Sequence, residues 1–117
     1  MIIKNEKRKK AILNSLADEE MLKILNFTQK ESRSAVELIK KHDISHSTAY
    51  RKIKWLLDSD ILVVDKMELK DDGKKSSLLK NTLKAVDIKY NDNKVTVIVE
   101  ENVRKIDLTA RQFLSME

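Results

Sequence analysis

The 117-residue sequence has no cysteine, a single glycine and few aromatic residues, and each of these scarcities excludes a class of chemistry. Without cysteine the chain has no disulfide, no thiolate metal site and no cysteine nucleophile. One glycine, Gly73, cannot make the glycine-rich loop that cradles phosphates in nucleotide-binding enzymes. Because aromatic residues make up only 4% of the chain, we expect a core built mainly from leucine, isoleucine and valine.

Long apolar runs are lacking as well. No run approaches the roughly 18 residues that a membrane-spanning helix needs, and no signal-peptide pattern opens the chain. We therefore expect a cytoplasmic protein. The sequence has no nucleophile beside a base and no paired metal-ligand motif, so we expect neither an enzyme nor a bound metal or cofactor.

Charge is abundant and biased towards positive. Charged residues make up 37% of the chain, and 24 Lys and Arg against 19 Asp and Glu give a net charge of +5 and a pI of about 9.4. This excess favours a polyanionic partner such as nucleic acid. The first ten residues are either a basic arm that lies along phosphates or the solvated face of a first helix, and we favour the helix; they hold one acid, Glu6, among Lys4, Lys7, Arg8, Lys9 and Lys10.

Residues 34–57 have the pattern of two short helices joined by a tight turn. Ser34 and Glu37 have the spacing of a capping box, which predicts that a helix begins at about Ala35. Asp43 ends that helix, and Ser45 is a good N-cap for the next one. The stretch therefore predicts a helix-turn-helix, preceded by a helix that Asp18 caps in the same way.

The second of these helices has two different sides. One side carries Ala49, Ile53, Leu56 and Asp60, with Leu57 beside them, and should pack on the core, whereas the other side is polar. Hydroxyl groups can hydrogen-bond to phosphates or base edges, and an arginine can donate two hydrogen bonds to a guanine, so the polar side suits a DNA major groove. The alternative is that it is the solvated face of an ordinary helix. The polar side consists of Ser47, Tyr50, Arg51 and Lys54.

After this helix the pattern changes to strand spacing. Apolar residues alternate over residues 61–69, and the polar turn that follows contains Gly73, which suits a backbone position with positive φ. The pattern predicts a β-hairpin over residues 61–83 with lysines at or near its tip, namely Lys70, Lys74 and Lys75. A solvated lysine turn is the alternative, and Asp71 and Asp72 offset part of the charge.

These stretches together resemble an ArsR-like winged helix-turn-helix transcriptional regulator, of the broad kind that is frequent in archaea. The resemblance covers residues 13–83 and rests on L-A-D-E-E-M-L-K-I-L, on S-A-V-E-L-I-K-K-H-D-I-S-H-S-T-A-Y-R-K-I-K-W-L-L-D-S-D-I-L and on the Asp-Gly hairpin. It implies a homodimer on double-stranded DNA, with residues 46–58 as the recognition helix in the major groove and the hairpin on the backbone or minor groove. The DNA-binding residues that follow are Ser45, His46, Ser47, Thr48, Tyr50, Arg51, Lys54, Lys70, Lys74 and Lys75.

The sequence departs from this family pattern in two respects. Asp43 and Asp60 stand where relatives usually have glycine at helix ends, which predicts two slightly strained residues with positive φ. Metal-sensing relatives use cysteine and clustered histidine, whereas this chain has only His42 and His46. We expect both histidines on the surface, on or near the DNA-facing side, and no metal sensor.

The last third of the chain predicts a second hairpin. Val86, Ile88 and Tyr90 alternate as Val95, Val97 and Val99 do, across a turn at residues 91–94, so one face is apolar. Either the core covers that face or a second copy does, and we favour the second copy, with pairing of the outer strand as one route. A short helix capped by Asp107 is a candidate for the tail, with Ile106, Ala110, Phe113 and Leu114 on one side.

The expected architecture is therefore α+β: a winged helix-turn-helix with a three-helix core and a hairpin wing, followed by a further hairpin and a possible short C-terminal helix. We assign residues 1–83 to the winged helix-turn-helix domain with a basic N-terminal helix, and residues 84–117 to dimerisation or core cover. The expected function is DNA-binding transcription regulation. The alternative is a winged helix that serves as a protein-interaction module in transcription or another nucleoprotein machinery.

Overall fold

The computed structural model describes residues 1–102, and the predicted C-terminal helix lies outside them. Four helices precede four strands, so the α+β class is confirmed. The elements are α1 (Glu6–Ala17), α2 (Glu19–Phe27), α3 (Ala35–His42), α4 (His46–Asp58), β1 (Leu62–Leu69), β2 (Lys75–Asn81), β3 (Leu83–Asn91) and β4 (Lys94–Glu101). No helix within residues 1–102 is long and apolar enough to cross a membrane.

Local capping signals set where the helices begin. The Asp18 carboxylate accepts from the Met21 backbone N–H at 2.9 Å, and Ser45 accepts from the Thr48 backbone N–H at 3.4 Å. Ser34 forms the complete capping box. These contacts satisfy N–H groups that the helix itself leaves without partners. All three predicted N-caps are confirmed.

Two aspartates end helices in the left-handed conformation, as predicted. Asp43 after α3 has φ of 53°, and Asp60 after α4 has φ of 58°. In the turn between β3 and β4, Asp92 and Asn93 have φ of 52° and 62°, as a two-residue hairpin turn with two positive φ angles requires.

The core lies where the helices meet the base of the two hairpins. As predicted from the scarcity of aromatic residues, leucine, isoleucine and valine dominate it. The fully buried large side chains are Ile12, Ile24, Leu25, Leu38, Leu56, Ile61, Leu62, Val97 and Val99. Helices α2, α3 and α4 contact one another, and α1 packs on α2.

The first hairpin is joined to the helix-turn-helix through the segment before α3. β1 and β2 pair antiparallel, with an irregularity between Val64 and Lys66. Arg33 exchanges two backbone hydrogen bonds with Leu79 of β2, at 3.0 and 2.7 Å. A helix-turn-helix followed by a hairpin that is attached in this way is a winged helix-turn-helix, and we call this β1–β2 hairpin the wing.

The second hairpin pairs as the alternation predicts. Val86 lies opposite Val99, Ile88 opposite Val97, and Tyr90 opposite Val95. The core covers only the β4 side of this apolar face, because the valines at 97 and 99 are buried while Ile88 and Tyr90 are exposed.

The N-terminal segment explains why β4 is covered. Ile3 donates its backbone N–H to the Val97 carbonyl at 2.9 Å, and Val99 donates to the Met1 carbonyl at 2.7 Å. Ile3 is itself buried. The basic stretch after it forms the start of α1, and Lys9 donates from Nζ to the Val95 carbonyl at 2.9 Å. Most of the lysines at the chain start are therefore on a helix, as expected.

Candidate nucleic-acid interface

Helix α4 packs by one side, and that side is slightly different from the predicted one. Ala49, Ile53 and Leu56 are buried as expected, and Lys52 is buried with them, with only 8% of its surface exposed. Asp60, which the spacing places on the same row, is exposed because the chain has already left the helix in a left-handed turn.

The buried amine of Lys52 is held by two acids at the start of α2. Its Nζ lies 2.8 and 2.7 Å from the two Asp18 carboxylate oxygens and 3.0 Å from Glu20 Oε1. The hydrogen bond from Lys52 lowers the pKa of Asp18, and the same bond raises the pKa of Lys52. Asp18 therefore caps α2 and also fixes α4 to it.

The sequence interpretation overlooked this contact. Lys52 falls three residues after Ala49 and four before Leu56, on the row that was expected to be apolar. A charged residue on a buried row needs a partner of opposite charge, and that spacing was the available signal.

The opposite side of α4 is open to solvent over the described part of the chain. Thr48 is half-buried, and the remaining predicted contact residues of this region are exposed: Ser45, His46, Ser47, Tyr50, Arg51 and Lys54. Lys54 Nζ lies 3.4 Å from Asp58 in an exposed pair, whereas Arg51 has no ion pair among residues 1–102. An exposed, unpaired guanidinium can donate two hydrogen bonds to a guanine without first breaking an internal contact.

The tip of the wing is a tight lysine-bearing turn. Gly73 has φ of 82° and donates its backbone N–H to the Lys70 carbonyl at 2.9 Å. Lys74 donates its backbone N–H to Asp72 Oδ1 at 2.9 Å, so this acid is engaged with the turn itself. The predicted positive φ at Gly73 is confirmed. The side chains of Lys70, Lys74 and Lys75 are exposed.

A groove of about 560 Å³ separates α4 from the wing. Tyr50 lines it from the helix, and Lys70, Lys74 and Lys75 line it from the wing. The structure thus brings one predicted residue of α4 together with all three predicted wing lysines. The remaining predicted residues of α4 do not line this groove. Its apolar walls include Val36, Ile53, Leu57 and Val64.

The two histidines differ in placement, and the expectation for His42 is wrong. His46 is exposed, with its ring centroid 6.4 Å from that of Tyr50. The His42 ring is half-buried and packs edge-on against Phe27, with ring centroids 5.1 Å apart. Burial lowers the pKa of His42, with smaller contributions from the charges of Lys23 and Lys41. His42 is therefore a packing residue at the end of α3.

Comparison with known proteins gives only distant likenesses. No family model matches the sequence, and no curated protein matches it either. Among solved structures, HlyU from Vibrio cholerae N16961 is similar with a TM-score of 0.46 and 15% sequence identity, over 97% of this chain and 95% of that one. A zinc-bound manganese uptake regulator is similar with a TM-score of 0.43 and 20% identity, over 92% of this chain and 83% of that one. At these values neither likeness assigns the chain to a family.

The class of protein is therefore defined by its own fold, a winged helix-turn-helix with an added β-hairpin. Within residues 1–102, no group of three His, Asp or Glu side chains is placed to hold a metal ion.

Proposed function

We propose that this chain is a DNA-binding transcriptional regulator of the ArsR-like type and acts as a homodimer. Helix α4 enters the major groove of double-stranded DNA, and the wing rests on the backbone or in the minor groove. The observation that carries this proposal is the groove between α4 and the wing, where Tyr50 and the lysines at 70, 74 and 75 meet. Helix and wing can contact one duplex together only if they flank a common space.

The chemistry of the open side of α4 supports the same function. Its first turn contains no acid, so the backbone N–H groups at the helix start and the Ser47 hydroxyl can hold phosphates. Arg51 and Tyr50 lie one turn further along, where side chains reach base edges in this class of fold. The net charge of +5 adds a long-range attraction to DNA.

Titration of labelled double-stranded DNA at several salt concentrations tests this function. Because lysines that contact phosphates release counterions, Lys74→Ala should weaken binding to all sequences alike and lower the slope of log affinity against log salt by about 1. Lys94→Ala is the matched control, since Lys94 is also an exposed hairpin lysine but borders the turn of the second hairpin. Equal effects of the two substitutions, or affinity independent of salt, would contradict the proposed interface.

A protein-interaction module is the second candidate, and one feature favours it. The wing exposes two large apolar side chains, Met67 at 54% and Leu69 at 71%. Apolar groups of this size are unusual where only phosphates are contacted, and they suit a protein partner. Binding to DNA that persists only at very low salt and shows no sequence preference would favour this second function over the first.

A further inference from the structure

We propose that two copies of the chain join through the free edge of β3, so that the two second hairpins form one continuous antiparallel sheet. This proposal names the surface of the homodimer and therefore rests on the dimeric form of the proposed function. It follows from which edge of the hairpin is free, which side chains lie along that edge, and how the sequence of β3 matches itself when reversed.

The two edges of the second hairpin are in different situations. The outer edge of β4 is already paired with residues 1–3 and with the Lys9 amine. Along β3, Gln29 donates from Nε2 to the Lys84 carbonyl at 2.9 Å, at the beginning of the strand. From residue 85 to residue 90, no backbone group forms a hydrogen bond outside the hairpin to any residue of the described part of the chain. Among residues 1–102, β3 therefore presents an unpaired strand edge.

The turn geometry determines which backbone groups face this edge. Asn91 and Lys94 flank the two-residue turn, so they form a hydrogen-bonded pair within the hairpin. Since hydrogen-bonded pairs alternate along an antiparallel ladder, Val86, Ile88 and Tyr90 direct their N–H and C=O groups away from β4. The same alternation gives outward groups at Val97 and Val99, and those are the residues that bond to the N-terminal segment.

The side chains along the free edge are apolar and exposed. Ile88 is 49% exposed and Tyr90 is 74% exposed, beside a half-buried Val86. All three project from the same face, because side chains alternate along a strand. An unpaired edge with a row of exposed apolar side chains is a template for another strand.

The sequence of β3 identifies a second copy as that strand. In an antiparallel pair centred on Ile88, Val86 lies opposite the second copy's Tyr90, and Asp87 lies opposite the second copy's Lys89. Each pairing occurs twice across the axis, and Ile88 meets its own copy there, so three apolar pairs form on one face and two opposite-charge pairs on the other. Cross-strand pairs of both kinds stabilise antiparallel sheets.

Other registers of the pair between the two β3 strands lose the pairing of opposite charges. Centring the pair on Asp87 or on Lys89 would keep the outward backbone groups opposite each other, but it would place two like charges opposite each other at the axis. Centring on Val86 or on Tyr90 keeps the backbone bonds but loses the pairing of Asp87 with Lys89. Only the register centred on Ile88 satisfies the outward backbone groups and the charges together.

Disulfide cross-linking tests the register, because the chain has no native cysteine. At the proposed axis the two copies of residue 88 form a hydrogen-bonded pair with Cα atoms about 5.5 Å apart, which is within reach of a disulfide. Ile88→Cys should therefore form covalent dimers under mild oxidation. Tyr90→Cys is the matched control, since its two copies would be offset by four residues, roughly 14 Å along the strand, and should not cross-link. Equal cross-linking of both variants would overturn the register.

Charge reversal tests the surface in the full chain, with mass measured by sedimentation equilibrium. Asp87→Lys and Lys89→Asp should each weaken dimerisation about tenfold or more, because each places like charges opposite each other twice. An equimolar mixture of the two variants should dimerise again, since lysines of one copy then face aspartates of the other. The double variant Asp87→Lys/Lys89→Asp should dimerise as the wild type does. Circular dichroism of each variant checks that the fold is intact.

Several outcomes would overturn the proposal. A wild-type chain that stays monomeric at every concentration would do so, as would a dimer that neither single reversal weakens, because its interface would then lie elsewhere. Failure of the mixture to recover the dimer would also contradict the pairing of Asp87 with Lys89. The assay contains no DNA, so a chain that binds DNA and dimerises through another surface contradicts only this proposal. A chain that binds DNA but stays monomeric also contradicts the homodimer of the proposed function, and a β3 dimer without DNA binding contradicts the proposed DNA binding alone.

Discussion

Replacing Asp18 with asparagine separates the two contacts that this side chain makes. Asparagine is as good an N-cap as aspartate, so the start of α2 should be unaffected. The buried Lys52 amine, however, loses the charge that lies 2.7 and 2.8 Å away and keeps only Glu20 at 3.0 Å. A partly compensated buried charge costs about 1–2 kcal/mol, towards the lower end of the range for groups that lose a partner.

Alanine at the same position should cost more. Asp18→Ala removes the cap as well as the charge, and loss of an N-cap adds about 1 kcal/mol. We therefore expect a total loss of about 2–3 kcal/mol in the free energy of unfolding at neutral pH, measured by urea denaturation and circular dichroism. Lys52→Met is the companion variant, since it keeps the packing of the stem and removes the amine.

The pH dependence of the free energy of unfolding independently checks that the Asp18 carboxylate stabilises the folded chain. The pKa of Asp18 is lowered from its ordinary value of 3.8 in the folded chain, so its contribution is fully present above that value and is lost as the pH falls through the lowered pKa. The stability difference between the wild type and Asp18→Asn should therefore close at pH values below about 3.8. Equal stability of the wild type and Asp18→Asn at neutral pH, or of Asp18→Asn and Asp18→Ala, would refute the reasoning.

Two further predictions concern helix ends. Asp43→Gly and Asp60→Gly should each raise the free energy of unfolding by about 0.5–1 kcal/mol, because glycine adopts positive φ without strain. A lower melting temperature for either variant would show that the aspartate is the better cap. Burial lowers the pKa of His42, so the stability that its neutral ring contributes is present above its ordinary pKa of 6.5 and is lost as the pH falls. His42→Gln should therefore make the urea midpoint depend less on pH between about pH 5 and pH 8. An unchanged pH dependence of the midpoint would contradict the burial of His42.

Features that depend on neighbouring residues could be predicted from the sequence. The capping box at Ser34, the N-cap at Ser45 and the positive φ at Gly73 depend on groups within a few residues, so their pattern determines them. The strand pairing of the second hairpin was predictable for the same reason, since a short turn and two alternating runs allow one register.

Features that depend on distant parts of the chain could not be predicted. The bond between Lys52 and Asp18 joins residues 34 positions apart, and only their common burial on α4 and α2 brings them together. The pairing of residues 1–3 with β4 spans most of the described chain, and no alternation over so short a segment signals a strand. His42 follows two lysines and so has the pattern of a surface residue, but Phe27 of another helix covers its ring.

The site was partly predictable for the same reasons. The polar side of α4 follows from helical periodicity, and the lysines of the wing follow from the hairpin signal. The groove between them depends on how Arg33 ties Leu79 and the wing to the start of α3, which is a long-range contact. Its apolar walls were therefore not foreseen.

Sequence selection from a random DNA library, performed with the wild type and with Arg51→Ala, tests the central claim most directly. If α4 contacts base edges, the wild type selects a defined motif. Arg51→Ala, which removes the paired hydrogen bonds of the guanidinium to a base, should then cost about 1–3 kcal/mol of binding free energy and weaken the base preference at one position of the motif. Arg51→Lys keeps the positive charge but not the planar guanidinium, so compared with Arg51→Ala it should restore DNA affinity more than base preference. An Arg51→Ala protein that selects the same motif as the wild type with equal strength would contradict the assignment of α4 as the recognition helix.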